Sequence, residues 1–280
     1  MVLVTLMWSI AGVVTRHLEA ARSFEVTFWR SFFTVLSLLV ILPVFQGRAV
    51  FSKIRDGGTA LWVSGVCWSV MFTAFMVALT LTTVANVLIT LALGPFMTAL
   101  VARILIRHRI ALRTWMAIAA AGAGILWMYG GQVDFQSQLS GMLVALLVPI
   151  AGAINWTAVQ SNRSHGKNID LVPAVLVGAV ISSIVTFPLS FPMQATPHDI
   201  GLLAILGLFQ LAIPCVLSVW CASILKAPEI SLLALLEVIF GILLAWIGAG
   251  EVPGSSVFTG GALVVGALVI NELIGWRQRA

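Results

Sequence analysis

Apolar residues run along this chain in blocks of about twenty, and short polar stretches separate the blocks. A helix needs about 20 mostly apolar residues to cross the hydrocarbon core of a bilayer. On that rule the blocks predict spans near 2–18, 24–45, 59–81, 84–106, 112–130, 139–160, 171–192, 199–222, 229–249 and 256–275. The polar breaks read QGRAVFSKIRDGG, RHRIALR, GGQVDFQSQ, SNRSHGKN, QATPHD, KAPE and GEVPGS. The link at Thr82 and Thr83 is very short, yet residues 59–106 are longer than two bilayer cores and must turn there. The expected fold is an all-α integral membrane protein with ten transmembrane helices.

The pattern is written twice. GPFMTALVARILIRHRI (94–110) and EVIFGILLAWIGAGEVP (237–253) pair Pro95 with Val238 and His108 with Glu251, 143 positions apart. AAAGAGILW and GALVVGALVI set Gly122 against Gly266 and Ala123 against Ala267. This predicts two five-helix repeats, residues 1–132 and 133–280. Five is odd, so the second repeat enters the membrane upside down. Inverted repeats are a recurrent plan of secondary transporters, with the substrate site between the halves.

Charge agrees with the inversion. The first copy of the repeated helix ends in Arg103, Arg107 and Arg109, whereas the second ends in Glu251. Across alternate loops, one side collects Arg48, Lys53, Arg55, Arg103, Arg107, Arg109, Arg113, Arg163, Lys167, Lys226, Arg277 and Arg279, and the other only Arg16 and Arg22. Positive loops stay in the cytoplasm, so both termini are expected there.

Composition narrows the class further. Of 280 residues 60% are hydrophobic and 9% charged, against about 25% charged in soluble domains. The net charge of +5 belongs to cytoplasmic loops, and no basic stripe interleaved with aromatics points to nucleic acid. Met1 to Leu18 lacks a basic lead and a good cleavage site, so it reads as a first membrane helix behind a shortened start, not as a signal peptide. Cys67, Cys215 and Cys221 lie in apolar segments as small buried hydrophobes. His17, His108, His165 and His198 fall in loops or at helix ends, and no H-E-x-x-H, Walker loop or Cys/His metal spacing occurs. No cofactor or metal is expected. An intramembrane enzyme, a channel and a structural membrane protein remain as alternative readings.

The paired segments carry a resemblance. TLALGPFMTALVARILIRH and LALLEVIFGILLAWIGAGE resemble the repeat of the drug/metabolite transporter superfamily, in its ten-helix EamA-type branch. The second copy keeps Glu237 and Gly250-Glu251 but has Val238 where the family has proline. The first keeps Pro95 and has Arg107-His108 where the family has Gly-Glu. Arg30 in TFWRSFF stands where the family places an arginine. Within the branch, AINWTAVQ and VLSVWCASIL resemble the YddG-type aromatic amino acid exporters through Trp156 and Trp220. The resemblance implies a bacterial inner-membrane carrier of small metabolites, amino acids among them, with drugs and nucleosides as alternative substrates.

Ionisable groups inside a bilayer are functional candidates. Arg30 stands about 9 Å from the outer end of the second span and Glu237 about 12 Å from the cytoplasmic end of the ninth, at 1.5 Å per residue. Arg30 suits a substrate carboxylate or a structural clamp onto helix-end carbonyls, and Glu237 suits an ammonium, a proton or a packing brace. Asn86 and Thr90 share one face of the fourth span with Gly94, and Pro95 follows, which suits a cavity wall or an interhelical hydrogen bond. Trp8, Trp68, Trp156 and Trp220 lie deeper than Trp62, Trp115, Trp246 and Trp276, which sit at interfacial positions. Trp8-Ser9 and Trp156-Thr157 occupy the first helices of the two halves, so Trp8 and Ser9 join the candidate site. Pro149, Pro173, Pro188, Pro192 and Pro214 are expected kinks. Ala120/Gly124 and Ala262/Gly266 are expected to join the halves or a homodimer.

Topology is directly testable. Reporter fusions after Gly57, His108, Lys167 and Lys226 should read cytoplasmic, and fusions after Val133, Gln194 and Pro253 external. Two reversed positions would overturn the inverted repeat.

Overall fold

In hydrocarbon an unpaired backbone N–H or C=O costs several kcal/mol, and the α-helix pairs these groups within one segment. The apolar blocks therefore fold as helices. The computed structural model describes residues 1–15, 17–47, 49–82, 87, 90–106, 110–129, 139–164, 169–249 and 255–277. Its elements are α1 (Val2–Thr15), α2 (Ser23–Gln46), α3 (Val50–Asp56), α4 (Gly58–Leu81), α5 (Gly94–Leu105), α6 (Leu112–Tyr129), α7 (Leu139–Ser164) and α8 (Pro173–Thr186). After a 3₁₀ turn at Pro188–Ser190 come α9 (Pro197–Ile205), a π-helical stretch at Leu206–Ala212, α10 (Ile213–Ile224), α11 (Ala227–Ala234), α12 (Leu236–Ala249) and α13 (Ser255–Arg277). The described residues contain no strand.

Among the described residues, five stretches are long and apolar enough to cross a membrane: Phe24–Gln46, Gly58–Ala78, Leu139–Asn162, Pro197–Ile224 and Ala227–Leu244. Shorter apolar helices cover Val2–Thr15, Gly94–Leu105, Leu112–Met128, Pro173–Thr186 and Ser255–Asn271. Their outer faces stay apolar, with Ile247 81% and Phe45 73% exposed. A surface of that kind belongs in lipid.

The structure departs from the expected spans in places. The loop expected between the second and third spans contains α3, anchored by the buried Val50. The helix expected over 171–192 ends at Thr186, before Pro188. Proline also acts differently from expectation. Pro95 and Pro173 sit in first turns, where the missing N–H has no partner to lose. Of the five prolines expected to kink helices, Pro149 lies inside α7, and Pro214 lies inside the continuous helical run Pro197–Ile224, just after its π stretch.

Packing runs mainly between the halves of the sequence. α4 lies against α7 and α8, α1 against α12 and the π stretch, α2 against α8 and the π stretch. α5 lies against α7 and α11, and α6 against α13. Glycines bring helices very close, Gly65 and Gly207 among them. A Cβ on Gly65 of α4 would stand 2.7 Å from Val177 Cγ1 of α8. One on Gly207 would stand 2.6 Å from Phe33 Cβ and 2.9 Å from the Arg30 carbonyl of α2. The stretch expected to bring small residues together does so in part. Gly124 presses on Gly260 across the α6–α13 contact, whereas Gly122 and Gly266 face open space.

Two buried carboxylates clasp the loops at one end. Glu25, 2% exposed, accepts the Gln194 and Ala195 N–H groups at 2.8–3.0 Å. Asp199, 0% exposed, accepts those of Glu19, Ala20 and Ala21 at 2.8–3.0 Å and that of Thr196 at 3.3 Å. Each acid stands in the first turns of one helix and grips the loop leading into the other.

The Gly207 contact is made with backbone, which cannot yield. Gly207→Val should overpack the α2 interface by about 1–3 kcal/mol and lower the thermal midpoint in detergent. Gly201→Ala, with nothing within 4 Å of the new Cβ, should not. Equal midpoints for both would show the contact to be slack.

Candidate functional site

Three helical ladders are interrupted, and the interruptions border one cavity. At Leu93 the N–H reverts to the Thr90 carbonyl at 3.1 Å, and at Leu235 to that of Leu232 at 3.2 Å, both 3₁₀-like turns. The third interruption is the π stretch. Leu91, Gly94, Leu235, Gln210 and Leu211, all at or beside these places, line a cavity of about 170 Å³. One water needs roughly 10–15 Å³ of such space, so the cavity has room for several waters or a small solute.

One wall is aromatic. Trp68 and Phe72, one turn apart on α4, meet at 5.5 Å between ring centres with their planes tilted by 40°. Trp156 of α7 meets Trp68 edge-on at 5.6 Å and 86°. Trp8 of α1 and Cys215 of α10 face the same space. Pro149, Gly152 and Ala153, from the turns of α7 preceding Trp156, leave room beside these rings.

Charge enters from two other helices. Arg30 of α2 is 2% exposed. Its Nη2 donates to the Phe72 carbonyl at 3.0 Å, its Nη1 points to Gln210 Oε1 at 3.5 Å, and its buried Nε has no partner. Glu237 sits in the first turn of α12, where the helix dipole favours a negative group. Both line the cavity, close enough for their charges to interact, yet no ion pair forms between them within 4.0 Å. Between α5 and α11, Ser231 Oγ donates to Thr98 Oγ1 at 2.9 Å, and both border the cavity.

The structure brings Trp8, Arg30, Trp68, Trp156 and Glu237 together. Ser9 lies outside the lining, with its hydroxyl donating to the Leu6 carbonyl at 2.7 Å. Thr90 is buried beside the lining without joining it, and Asn86 lies outside the described residues. Trp220 is 47% exposed and absent from the lining; on α10 the cavity is bordered by Cys215. Gln210, Thr98 and Ser231 were missed by sequence reasoning. Gln210 was discoverable, being the sole amide in the apolar run LGLFQLAIP.

Outside the cavity, Glu19, His198 and Asp199 stand close enough to hold a metal ion. Asp199 already accepts four backbone N–H groups there, which accounts for its burial without any ion.

The sequence pattern of the EamA-like transporter family matches this chain in two stretches, residues 1–130 and 139–272. The chain belongs to the EamA-like transporter family. An uncharacterized transporter of Bacillus subtilis (strain 168), YdfC, is 25% identical over 192 residues, 68% of this chain. That match spans 62% of the relative's length. A solved crystal structure, described only as that of a protein, superposes with a TM-score of 0.78 over 97% of this chain and 95% of its own, at 15% identity. That likeness bears on the fold alone.

Family and apolar helices together make this a multi-pass membrane protein of the EamA-like transporter family. One end of the EamA-like bundle is tied by polar links around α11. The Ala227 N–H donates to Gln160 Oε1 of α7 at 2.7 Å. Arg113 of α6 faces Glu229 of α11 at 3.9 Å and donates to the Asn271 carbonyl of α13. Glu229 also accepts the Lys226 N–H at 3.2 Å. Their side chains are 16% and 5% exposed. Removing the Glu229 carboxylate leaves Arg113 half-dry and the Lys226 N–H without its acceptor. Glu229→Ala should cost on the order of 1–3 kcal/mol and Glu229→Gln less, read as thermal midpoints. Three equal midpoints would show the link to be idle.

Proposed function

We propose that this EamA-like transporter exports amino acids, aromatic ones among them, across the bacterial inner membrane by alternating access. The observation that carries the reading is the cavity itself. It places a guanidinium and a carboxylate in one small space without pairing them, beside a wall of tryptophan and phenylalanine. A zwitterion presents both complementary charges, and an aromatic side chain gains by stacking on such a wall. The outward direction rests on the resemblance to YddG-type exporters.

Several features support ten spans arranged as inverted repeats, residues 1–132 and 133–280. The family pattern matches twice. Exchanging the halves turns the α4–α7 contact into that of α1 with the α9–α10 segment, and the α5–α7 contact into α1 with α12. The α2–α8 and α6–α13 contacts map onto themselves. Gly65 and Gly207, Leu93 and Leu235, and Trp68 and Gln210 each stand 142 positions apart.

Departures from this exchange support one phase of the cycle. α7 touches α10 and α11, the ends tied by Gln160 and Ala227. Among the described residues α1 makes no contact with α4 comparable to that of α7 with α10. With the Lys/Arg-rich loops in the cytoplasm, this is a state closed toward the cytoplasm. Opening would separate α7 from α10 and α11.

The test is counterflow of a labelled amino-acid panel into proteoliposomes, with Trp156 variants at matched expression. Stacking is worth about 0.5–1.5 kcal/mol beyond burial, and 1.4 kcal/mol is about tenfold. Trp156→Ala should weaken transport of an aromatic amino acid roughly three- to tenfold and of a small polar one less, while Trp156→Phe retains most activity. Transport of no amino acid by the parent would overturn the substrate class. Parental behaviour of both variants for every substrate would make Trp156 packing.

A further inference from the structure

The proposed function leaves open which groups meet each end of the substrate. Arg30 is the obvious partner for a carboxylate, but its geometry argues otherwise. One terminal nitrogen is committed to the Phe72 carbonyl at 3.0 Å and the other is turned toward Gln210 Oε1 at 3.5 Å. The side chain spans α2, α4 and the π stretch, and binding substrate directly would release at least one of these links.

Gln210 has the opposite profile. It lines the cavity and is 4% exposed, and its oxygen is drawn toward the positive guanidinium. An amide carries one acceptor oxygen and two N–H donors. With the oxygen turned to Arg30, the NH₂ is the end left for a ligand, and no protein acceptor for it is recorded. Trp68, at the equivalent position 142 residues earlier, is 2% exposed, and its indole N–H has no partner. Two residues that line the cavity thus carry uncharged donors without acceptors, that of Trp68 fully buried. Glu237 borders the same cavity with no recorded donor to its carboxylate.

Resting on the amino-acid reading above, we propose that Gln210 Nε2 and the Trp68 indole N–H receive the substrate carboxylate. Arg30 is then a positioning residue that turns the amide, and Glu237 receives the ammonium. The cavity discriminates by matching acceptors to waiting donors. A ligand without a carboxylate leaves both donors unmet.

The experiment measures inhibition of labelled phenylalanine counterflow in proteoliposomes by unlabelled phenylalanine and by phenylalaninamide, which lacks the carboxylate. Parent, Gln210→Glu, Gln210→Leu, Trp68→Phe and Arg30→Lys proteins are compared at matched expression. Gln210→Glu keeps a partner for Arg30 but replaces the NH₂ with a negative oxygen. It should weaken phenylalanine tenfold or more and phenylalaninamide little, so the preference falls or reverses. Trp68→Phe keeps the stacking face and should lower the preference three- to tenfold. Gln210→Leu should lose the preference as well, and Arg30→Lys, which cannot turn the amide in the same way, should reduce it partially. An unchanged preference in folded Gln210→Glu protein overturns the assignment while leaving the amino-acid reading intact. Complete loss of preference in Arg30→Lys with retention in Gln210→Leu makes the guanidinium the direct anchor and also overturns it. A parent that moves no phenylalanine or any other amino acid overturns the underlying reading and the assignment with it. Misfolding of the Gln210 variants leaves the decision to Trp68→Phe, whose unchanged preference would overturn the assignment.

Discussion

Hydrocarbon offers backbone groups no hydrogen-bond partner, and this molecule is organised around that fact. A continuous helix meets the requirement anywhere in the membrane, whereas an interrupted one meets it only where protein or a polar cavity surrounds the interruption. Thr90–Leu93, Leu206–Ala212 and Leu232–Leu235 obey the restriction. Each irregular stretch adjoins the same cavity. The cavity is therefore where the chain can tolerate irregular backbone, and irregular backbone turns polar groups such as Gln210 inward.

Arg30 shows how the same economy of partners extends to side chains. A buried charge is held by carbonyl and amide oxygens from two neighbouring segments, which ties α2 to α4 and to the π stretch. The close approach at Gly207 sits on the backbone of residues 30 and 34, one turn of the same helix. Thr34 adds a hydroxyl donated to the Arg30 carbonyl at 2.8 Å and the Gly207 carbonyl at 3.1 Å. Charge, hydroxyl and the missing side chain together make this a rigid seam.

Much of the architecture was legible in the sequence because length and hydropathy govern membrane helices directly. Arg30 and Glu237 were legible as candidates for a related reason: a charge in a bilayer is conspicuous. The faces of the helices were harder to read. In a soluble helix polar residues mark the outside, but here lipid and core are both apolar, so nothing in CVLSVWCASIL (215–225) shows that Trp220 points outward while Cys215 borders the cavity. Thr98 and Ser231 were hidden similarly, since hydroxyls in membrane helices also bond their own backbone, as Ser9 and Ser218 do. The π stretch left no sign beyond an ordinary apolar run.

The clasp made by Glu25 and Asp199 carries a consequence for sequence variation. Both carboxylates are filled by backbone N–H groups, those of residues 194 and 195 and of residues 19, 20, 21 and 196. Such a joint does not depend on which side chains the two loops display. Any residue but proline can supply the donor. The loops are thus free to drift in sequence, carrying new surface chemistry, while two acids keep the helices beneath them in register.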